Sequence, residues 1–181
     1  MIHIEHDAKG LVNAVVYADA AGKLKRQSAR AVCVAGNAIE TPRLLLNSSS
    51  SRFPQGLANG AGMVGKHYMR HMTGSVFAEF KDPIHHAFTQ GEALYKAVGA
   101  LKTHRVPPYP STHNLGTCRM SEKPEDGVCN SHGQCHEVAN LFISDGSQFT
   151  TSAAENPTLT IVTLAIRQAD YIADALKSKS I

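Results

Sequence analysis

The chain has 181 residues, of which 43% are hydrophobic, and it carries a formal net charge of +3. This length corresponds to one domain or slightly more, and the apolar fraction is sufficient for a buried core. Positive and negative side chains are interspersed, which gives no indication of a nucleic-acid partner. No apolar run reaches roughly 18 residues, so the sequence predicts no membrane-spanning helix. The opening residues MIHIEHDAKG lack the apolar core of a secretion signal, so none is expected.

The N-terminal part of the sequence predicts a hairpin followed by a strand, a glycine turn and a helix. Residues 2–6 and 11–18 alternate or run apolar around the sequence Asp-Ala-Lys-Gly, which is typical of a β-hairpin. A strand is expected over residues 28–35, followed by Gly36 and a short helix over residues 39–47. A junction of this kind allows the backbone to approach a ligand closely.

The remaining elements are two strands and two helices. A strand is expected over residues 73–80, a helix over 89–104, and a further strand in the sequence NLFIS before Asp-Gly-Ser. Asn156 and Pro157 predict the start of a long helix, with Asn156 as N-cap and Pro157 at the first helical position. Because apolar side chains cover most of its first three turns, this helix is expected to be largely buried. Its N-terminal amides then need an acceptor or an anionic partner.

Three motifs occur in order in the C-terminal half: HNLGTCRM, NLFISDGS and NPTLTIVTLAIR. Together with VAGNAIETPRLLLNS and GLANGAGMVGKHYMRH nearer the N-terminus, they resemble the glucose–methanol–choline (GMC) family of FAD-dependent oxidoreductases. The closest resemblance is to the flavoprotein subunit of bacterial gluconate and sorbose-type dehydrogenases. It covers most of residues 1–80 and 103–177.

The resemblance implies an α/β fold: a partial FAD-binding domain of the GMC type, with a mixed sheet and a long buried C-terminal helix. Residues 1–80 would be a remnant of the FAD domain, residues 81–106 a shortened substrate-domain segment, and residues 107–181 the catalytic and FAD-binding C-terminal region. Family members carry a Gly-rich βαβ unit before the position of Met1 and a longer substrate-domain segment. The resemblance therefore implies a C-terminal portion of such a flavoprotein, without the Gly-rich unit and most of the substrate domain.

The resemblance also implies oxidation of a CH–OH group in a sugar, sugar acid or polyol. His113 would abstract the hydroxyl proton while hydride passes to the flavin, and Asn156 would hydrogen-bond the substrate oxygen. The residues that would contact FAD are Ala35, Gly36, Asp145, Gly146, Asn156, Pro157 and Thr158. Without the resemblance, His113 is an ordinary turn histidine, Asn156 an N-cap and Asp145-Gly146 a turn.

The partners implied are a small-molecule alcohol, a cytochrome c subunit that accepts electrons, and a small subunit, with a periplasmic or membrane-associated location. The chain itself contains no CxxCH sequence for haem attachment. The alternative is an inactive fragment that retains part of a flavin pocket only as a structural remnant.

Four possible soft metal ligands occur within one short segment: Cys129, His132, Cys135 and His136. Their spacing fits no standard zinc pattern, and adjacent Cys135 and His136 would point apart in an extended segment. The sequence therefore predicts no metal site. A disulfide between Cys129 and Cys135 is an alternative if the protein is periplasmic.

Overall fold

The computed structural model describes residues 1–79, 81, 92–152 and 156–181. The chain divides into two compact units, one formed by Met1–His71 with Thr112–Ile181 and the other by Met72–Ser111. The elements in chain order are β1 (His3–His6), β2 (Val12–Ala18), β3 (Leu24–Ser28), β4 (Val32–Val34), α1 (Asn37–Asn47), β5 (Met69–Glu79), α2 (Glu92–Ala97), β6 (Lys102–Leu115), β7 (Leu141–Ile143), a 3₁₀ turn (Gly146–Gln148) and α3 (Thr158–Lys177).

Strands β1, β2 and β3 form an antiparallel sheet in that order. Alternate residues of β2 are buried, beginning with Val12 and continuing with Ala14 and Val16, whereas every residue of β3 is exposed. One face of the hairpin therefore packs inward, as the period-2 pattern predicts. The predicted β1–β2 hairpin is confirmed.

Strands β4 and β7 pair in parallel and so join the N-terminal and C-terminal segments of the larger unit. All of β7 is buried, and so are Val32 and Val34 of β4. Asn140, which is also buried, joins this pair to the hairpin: its side chain accepts from Val12 N–H at 2.9 Å and donates to the Val12 and Arg30 carbonyls at 2.8 Å. These bonds satisfy the amide of Asn140 inside the core.

The core lies in the larger unit and draws on residues from both of its segments. Its members are mostly aliphatic side chains and include three cysteines. The largest fully buried side chains are Phe142, Leu45, Leu57, Leu141, Ile143 and Val138. Segments distant in sequence thus share one apolar interior, which is what makes this unit a single folding body.

Helix α1 contains Pro42, which removes the amide that would bond to the Ala38 carbonyl. Thr117, from the other segment of the same unit, donates its hydroxyl to that carbonyl at 2.7 Å. The gap in the helix is therefore satisfied by a tertiary hydrogen bond. The predicted helix over residues 39–47 is confirmed and begins two residues earlier.

The α/β fold class is confirmed, with parallel and antiparallel pairing distributed over separate small sheets among the described residues. Two other predicted elements differ from the structure in extent. The strand over residues 28–35 is in fact the end of β3 and a separate β4. The helix over residues 89–104 reduces to α2, because Gly99 adopts φ +92° and the chain enters β6 at Lys102. Residues 89–91 of that prediction lie outside the described residues.

Helix α3 confirms the predicted long C-terminal helix, but the prediction that it is largely buried is wrong for this chain. Only Gln168 and Ala175 are buried in it, while Leu159, Val162 and Ile166 are 78%, 48% and 61% exposed. Gln168 attaches the helix to the core by donating to the His132 and Ile143 carbonyls at 2.9 and 2.8 Å. The apolar stripe is real, but the described residues provide no surface that covers it.

Candidate functional site

A pocket of about 370 Å³ lies at the beginning of α3. Its apolar wall and its polar rim come from β6, from the segment before α3 and from the first turns of the helix. The lining residues are Leu115, Met120, Phe149, Thr150, Thr151, Ser152, Asn156, Pro157, Thr160 and Leu164. An apolar cleft with a few converging polar groups is the usual form of a small-molecule site.

The start of α3 faces this pocket. Pro157 has helical dihedral angles (φ −81°, ψ −8°), and its carbonyl accepts the first helical bond from Ile161 N–H at 2.9 Å. Pro157 contributes no side-chain cap, and the exposed Asn156 lies one residue outside the helix. The helix thus begins one residue later than predicted. The first residues of α3, at the positive end of its dipole, therefore form part of the pocket lining.

His113 lies near the end of β6 and is half-buried. It stands two residues before Leu115, which lines the pocket and is 2% exposed. Because alternate residues of a strand share a face, His113 projects on the same face of β6 as Leu115. Asn114 projects on the opposite face and accepts a 2.6 Å hydrogen bond from the Tyr68 hydroxyl. The structure therefore places His113 beside the pocket wall rather than in the lining itself.

A second pocket, of about 700 Å³, is lined by Ala35 and Gly36 together with the exposed side of α1. Its charged side chains are Glu40 and Arg43, which form an exposed ion pair at 3.3 Å. The predicted site residues are therefore divided between two pockets: Ala35 and Gly36 line this one, whereas Asn156 and Pro157 line the pocket at α3. Thr158 is exposed at the start of α3.

Asp145 and Gly146 connect the elements that form the two pockets. Asp145 accepts from the backbone N–H of Asn37, the residue after Gly36, at 2.9 Å. Gly146 is buried, and a Cβ added there would lie 2.7 Å from the Leu115 side chain of the other pocket. A side chain at position 146 would therefore push on the pocket wall. The predicted pair thus occupies the junction between the pockets.

The Asp145 carboxylate is buried, and protein donors bond to both of its oxygens. Oδ2 accepts from the Asn37 amide and from the Thr41 hydroxyl at 2.5 Å, and Oδ1 accepts from the Ser147 amide at 2.8 Å. Charge-assisted bonds of this kind are among the stronger hydrogen bonds in proteins. The carboxylate therefore holds the glycine turn and the 3₁₀ turn in place. The sequence alone did not predict that Asn37 and Thr41 are its donors.

Asn37 also organises the start of α1. It has φ +77°, in the left-handed region that asparagine tolerates better than most residues, and its side-chain oxygen accepts from the Ile39 and Glu40 amides at 2.8 and 3.2 Å. Gly36 N–H donates to the Thr41 hydroxyl at 3.0 Å. The first amides of α1 therefore bond within the protein, so this helix start does not form an anion site. The asparagine directly after Gly36 is the sequence signal that could have predicted this capping of α1.

The segment containing the Cys/His cluster is folded into the core. Cys118, Cys129 and Cys135 are free thiols that are 0%, 0% and 2% exposed. Burial, with the negative charge of Asp145 as a second cause, raises the pKa of Cys118 to about 12. His132 stacks on Tyr171 at a ring distance of 4.3 Å. Within the described part of the chain, no three His, Cys, Asp or Glu side chains converge in a way that could hold a metal ion.

A family model for GMC oxidoreductases matches residues 72–165. That segment is more than half of the chain, so the protein belongs to the GMC oxidoreductase family. The family comprises FAD-dependent oxidoreductases, as the sequence motifs indicate. The resemblance at the level of the family is therefore confirmed.

Among curated relatives, 2-methyl-1,2-propanediol dehydrogenase of Mycolicibacterium austroafricanum is 49% identical over 42% of this chain, and the match spans 14% of that protein. The C-glycoside 3-oxidase of Arthrobacter globiformis is 43% identical over 47% of this chain and 17% of its own length. The fructose dehydrogenase large subunit of Gluconobacter japonicus is 33% identical over 46% of this chain and 16% of its own length. The matched region is thus about a sixth of these relatives.

The fold also matches that of pyridoxine 4-oxidase from Mesorbium loti, with a TM-score of 0.64 over 94% of this chain and 56% of that one. The sequence identity is 14%, so the likeness concerns the fold. Within the described residues, no helix combines the length and the apolar character needed to cross a bilayer.

FAD is the cofactor of this family, and the described residues fit parts of it in two places. The pocket at α3 offers an apolar wall and the start of a helix whose N-cap, Pro157, supplies no side-chain cap, and this combination suits a flat ring with a polar edge. The pocket at Gly36 offers a backbone turn and the Glu40–Arg43 ion pair, whose carboxylate can accept hydrogen bonds from hydroxyl groups. Neither pocket shows the glycine-rich helix start that binds a pyrophosphate.

Proposed function

We propose that this chain forms part of the catalytic half of a GMC-type, FAD-dependent enzyme that oxidises a CH–OH group. The observation that carries the proposal is the pocket at the start of α3. It combines the N-terminus of α3, Asn156 at its edge, and the strand face that carries Leu115 and His113.

In this proposal, His113 is the general base and takes the proton of the substrate hydroxyl. An imidazole suits this step because its pKa lies near neutrality. Asn156 donates its side-chain amide to the substrate oxygen and so orients the carbon that is oxidised. When bound, FAD supplies the acceptor for the hydride.

Pro157 and Thr158 would contact the polar edge of the flavin ring, where the helix dipole favours negative charge. Asp145 and Gly146 would contribute through the junction that positions both pockets, while Ala35 and Gly36 would accept the adenosine end at their turn. Leu115, Met120 and Phe149 would exclude water from the reacting centre, which strengthens its electrostatic interactions.

The substrate class we propose is a sugar, sugar acid or polyol, with gluconate and sorbose-type dehydrogenases as the nearest functional model. The names of the relatives support an alcohol substrate, since they include a propanediol dehydrogenase, a C-glycoside oxidase and a fructose dehydrogenase. The name of the fructose dehydrogenase large subunit supports a multi-subunit arrangement. We accordingly propose a cytochrome c subunit as electron acceptor, a small subunit, and a periplasmic or membrane-associated location.

The role of His113 can be tested in a chimera that places residues 72–165 in the corresponding segment of 2-methyl-1,2-propanediol dehydrogenase. We expect His113→Ala to lower kcat for alcohol oxidation about 10²–10⁴-fold, the usual contribution of a general base. Flavin absorbance per mole of protein should stay unchanged. The matched control is His136→Ala. His136 lies in the same transferred segment, and its side chain forms a hydrogen bond with the Ser121 hydroxyl, outside the lining of the proposed site.

Parent-level turnover in the His113→Ala chimera, with normal flavin content, would exclude His113 from the mechanism. An inactive parent chimera that still binds flavin would favour the alternative function, a structural remnant of a flavin pocket. That alternative has one specific observation in its favour, the exposure of the apolar face of α3.

A further inference from the structure

The segment between β6 and β7 forms a small hairpin that places Cys129 directly opposite Cys135. The two residues are antiparallel bridge partners. Backbone hydrogen bonds join the residues on either side of the pair, His136 N–H to Val128 O at 3.1 Å and Asn130 N–H to Gln134 O at 2.9 Å. Cys129 and Cys135 are therefore a non-hydrogen-bonded pair. In such pairs the Cα atoms are about 4.5 Å apart, within the range of about 4.4–6.8 Å that a disulfide spans.

The turn between the two cysteines fixes this register without any covalent bond. The side-chain oxygen of Asn130 accepts from the His132 and Gln134 amides at 2.9 and 3.2 Å. Gly133 has φ +70°, and a Cβ there would lie 2.6 Å from the Ile143 carbonyl oxygen. A register shift would bring another residue to the position of Gly133, so it is strongly disfavoured.

The folded core isolates both thiols from solvent. Cys129 is 0% and Cys135 2% exposed, and the Cys129 thiol donates to the Cys118 carbonyl at 3.4 Å. Burial raises the pKa of both thiols. Because thiol exchange requires a thiolate and access to an oxidant, the pair is unreactive once the core has closed. Exchange is open to it only while the chain is still folding.

We propose that Cys129 and Cys135 form an intrachain disulfide during folding when a thiol–disulfide oxidant such as oxidised glutathione is present, and that the closed core then protects the bond. One cysteine thiolate attacks the oxidant and releases one glutathione thiol. The second cysteine attacks the mixed disulfide and releases the other. Two S–H bonds are lost and one S–S bond forms in the protein, while the oxidant takes up the two electrons and two protons as two thiols.

The chain offers a direct test because trypsin leaves Cys129 and Cys135 on one peptide and places Cys118 and Cys33 on others. Arg119 and Arg167 bound a peptide that holds both Cys129 and Cys135, and its internal Lys123 precedes a proline and resists cleavage. Cys118 lies on the preceding peptide and Cys33 on a third. The chain is refolded from urea with a glutathione redox buffer or with a reductant, then denatured, alkylated and digested for mass spectrometry.

We expect free thiols to fall from four under reductant to two after oxidative refolding. The peptide of residues 120–167 should lack alkyl groups and be about 2 Da lighter than its reduced form, which is the loss of two hydrogens. The peptides carrying Cys33 and Cys118 should be alkylated. Alkylation of Cys129 and Cys135 after oxidative refolding, or a cross-link between residues 106–119 and 120–167, would overturn the proposal.

Two variants at equally buried positions provide the matched controls. Cys118→Ala should leave the light, unalkylated peptide in place, whereas Cys129→Ala should leave Cys135 alkylated under the same conditions. Reductant added to the oxidised native protein should open the bond far more slowly than in urea. Equal rates in the two conditions would contradict protection by the core. None of these measurements depends on flavin binding or on alcohol oxidation.

Discussion

At the scale of single residues, Asp145 is a group whose contacts join three separate parts of the larger unit. Its carboxylate takes donors from the glycine turn, from α1 and from the 3₁₀ turn, although Asn37 and Asp145 are 108 positions apart in sequence. A buried carboxylate is tolerated only when such donors replace its hydration. The junction between the two pockets therefore depends on hydrogen bonds whose donors are ordinary-looking residues.

Replacing Thr41 by valine removes the hydroxyl and keeps the shape of the side chain. We expect Thr41→Val to lower the free energy of unfolding by about 1–3 kcal/mol, because a buried carboxylate oxygen loses a donor and the Gly36 amide loses an acceptor. Urea unfolding followed by circular dichroism measures this change. Thr163→Val, at an exposed position of α3, is the control and should change stability by under about 0.5 kcal/mol. Equal effects of the two substitutions would contradict the role assigned to Thr41.

The buried thiol of Cys118 predicts how stability depends on alkaline pH. Its pKa is raised from 9.0 to about 12 in the folded protein, so between these values the unfolded chain releases a proton that the folded chain keeps. Stability contributed by this thiol is thus complete below about pH 9 and is lost as the pH rises toward 12, at about 1.4 kcal/mol per pH unit.

Urea unfolding in the presence of reductant, at several pH values from about 8 to 10.5, measures this slope. Cys118→Ala should make the decline in stability with pH shallower. Cys33→Ala, at an exposed position, should change the slope less. A Cys118→Ala protein with the slope of the parent would show that this thiol is not the source of the pH dependence.

At the scale of elements, α3 combines a firm attachment with an uncovered face. Gln168 and Tyr171 bond to the core segments, the latter through a 2.9 Å hydrogen bond to Gln134. Leu159, Val162 and Ile166 fall on the opposite stripe and are exposed. An exposed apolar stripe on an isolated chain favours association between molecules.

We expect the double substitution Leu159→Gln with Ile166→Gln to reduce self-association of the 181-residue chain without reducing its stability, since both side chains are 61% or more exposed. Sedimentation velocity across a concentration series measures the association. Ala175→Gln, which places a polar side chain at a buried position of the same helix, is the contrasting control and should destabilise the fold. Unchanged association in the double variant would mean that other surfaces drive it.

The elements also show which parts of the fold can be predicted from the sequence. The β1–β2 hairpin, α1 and α3 follow from local periodicity and breakers, and the structure confirms all three. The helix predicted across α2 and the start of β6 is wrong. Val98 and Leu101 fit a helical spacing and so favoured a helix, but β6 forms a strand because it pairs with β5. The exposure of α3 could not be predicted, since an apolar stripe shows what can be buried and not whether a covering surface exists.

The candidate site was predictable only through its motifs. His113, Asn156 and Gly36 have no local property that distinguishes them from turn or cap residues, so their roles come from resemblance and stay predictions. The partners of Asp145 lie far away in sequence, and no local pattern pairs Thr41 with a carboxylate that follows β7. Contacts of this range are set by the tertiary fold alone.

At the scale of the whole molecule, the larger unit forms the two candidate pockets and the junction between them. The chain matches only a small share of the length of its curated relatives. The matched regions cover 14–17% of three of them. FAD is an extended molecule with its highest charge at the pyrophosphate. We propose the two pockets for the ring and for the adenosine end, and the amides of Ile39 and Glu40 at the start of α1 bond to the Asn37 side chain.

We therefore expect the 181-residue chain alone to bind FAD weakly, with a dissociation constant well above the micromolar range, and to turn over no sugar alcohol. In the proposed arrangement the ring and the adenosine end would occupy separate pockets. The start of α1 beside Gly36 offers the pyrophosphate no free anion site, because its first amides bond to Asp145 and Asn37. Titration of FAD followed by flavin fluorescence, with a dye-reduction assay on gluconate and sorbose, measures both properties. Asn156→Ala should change any residual ring binding, whereas Asn47→Ala, at the far side of the other pocket, should not. Micromolar binding with substrate-dependent dye reduction would show that these residues suffice for a complete small enzyme.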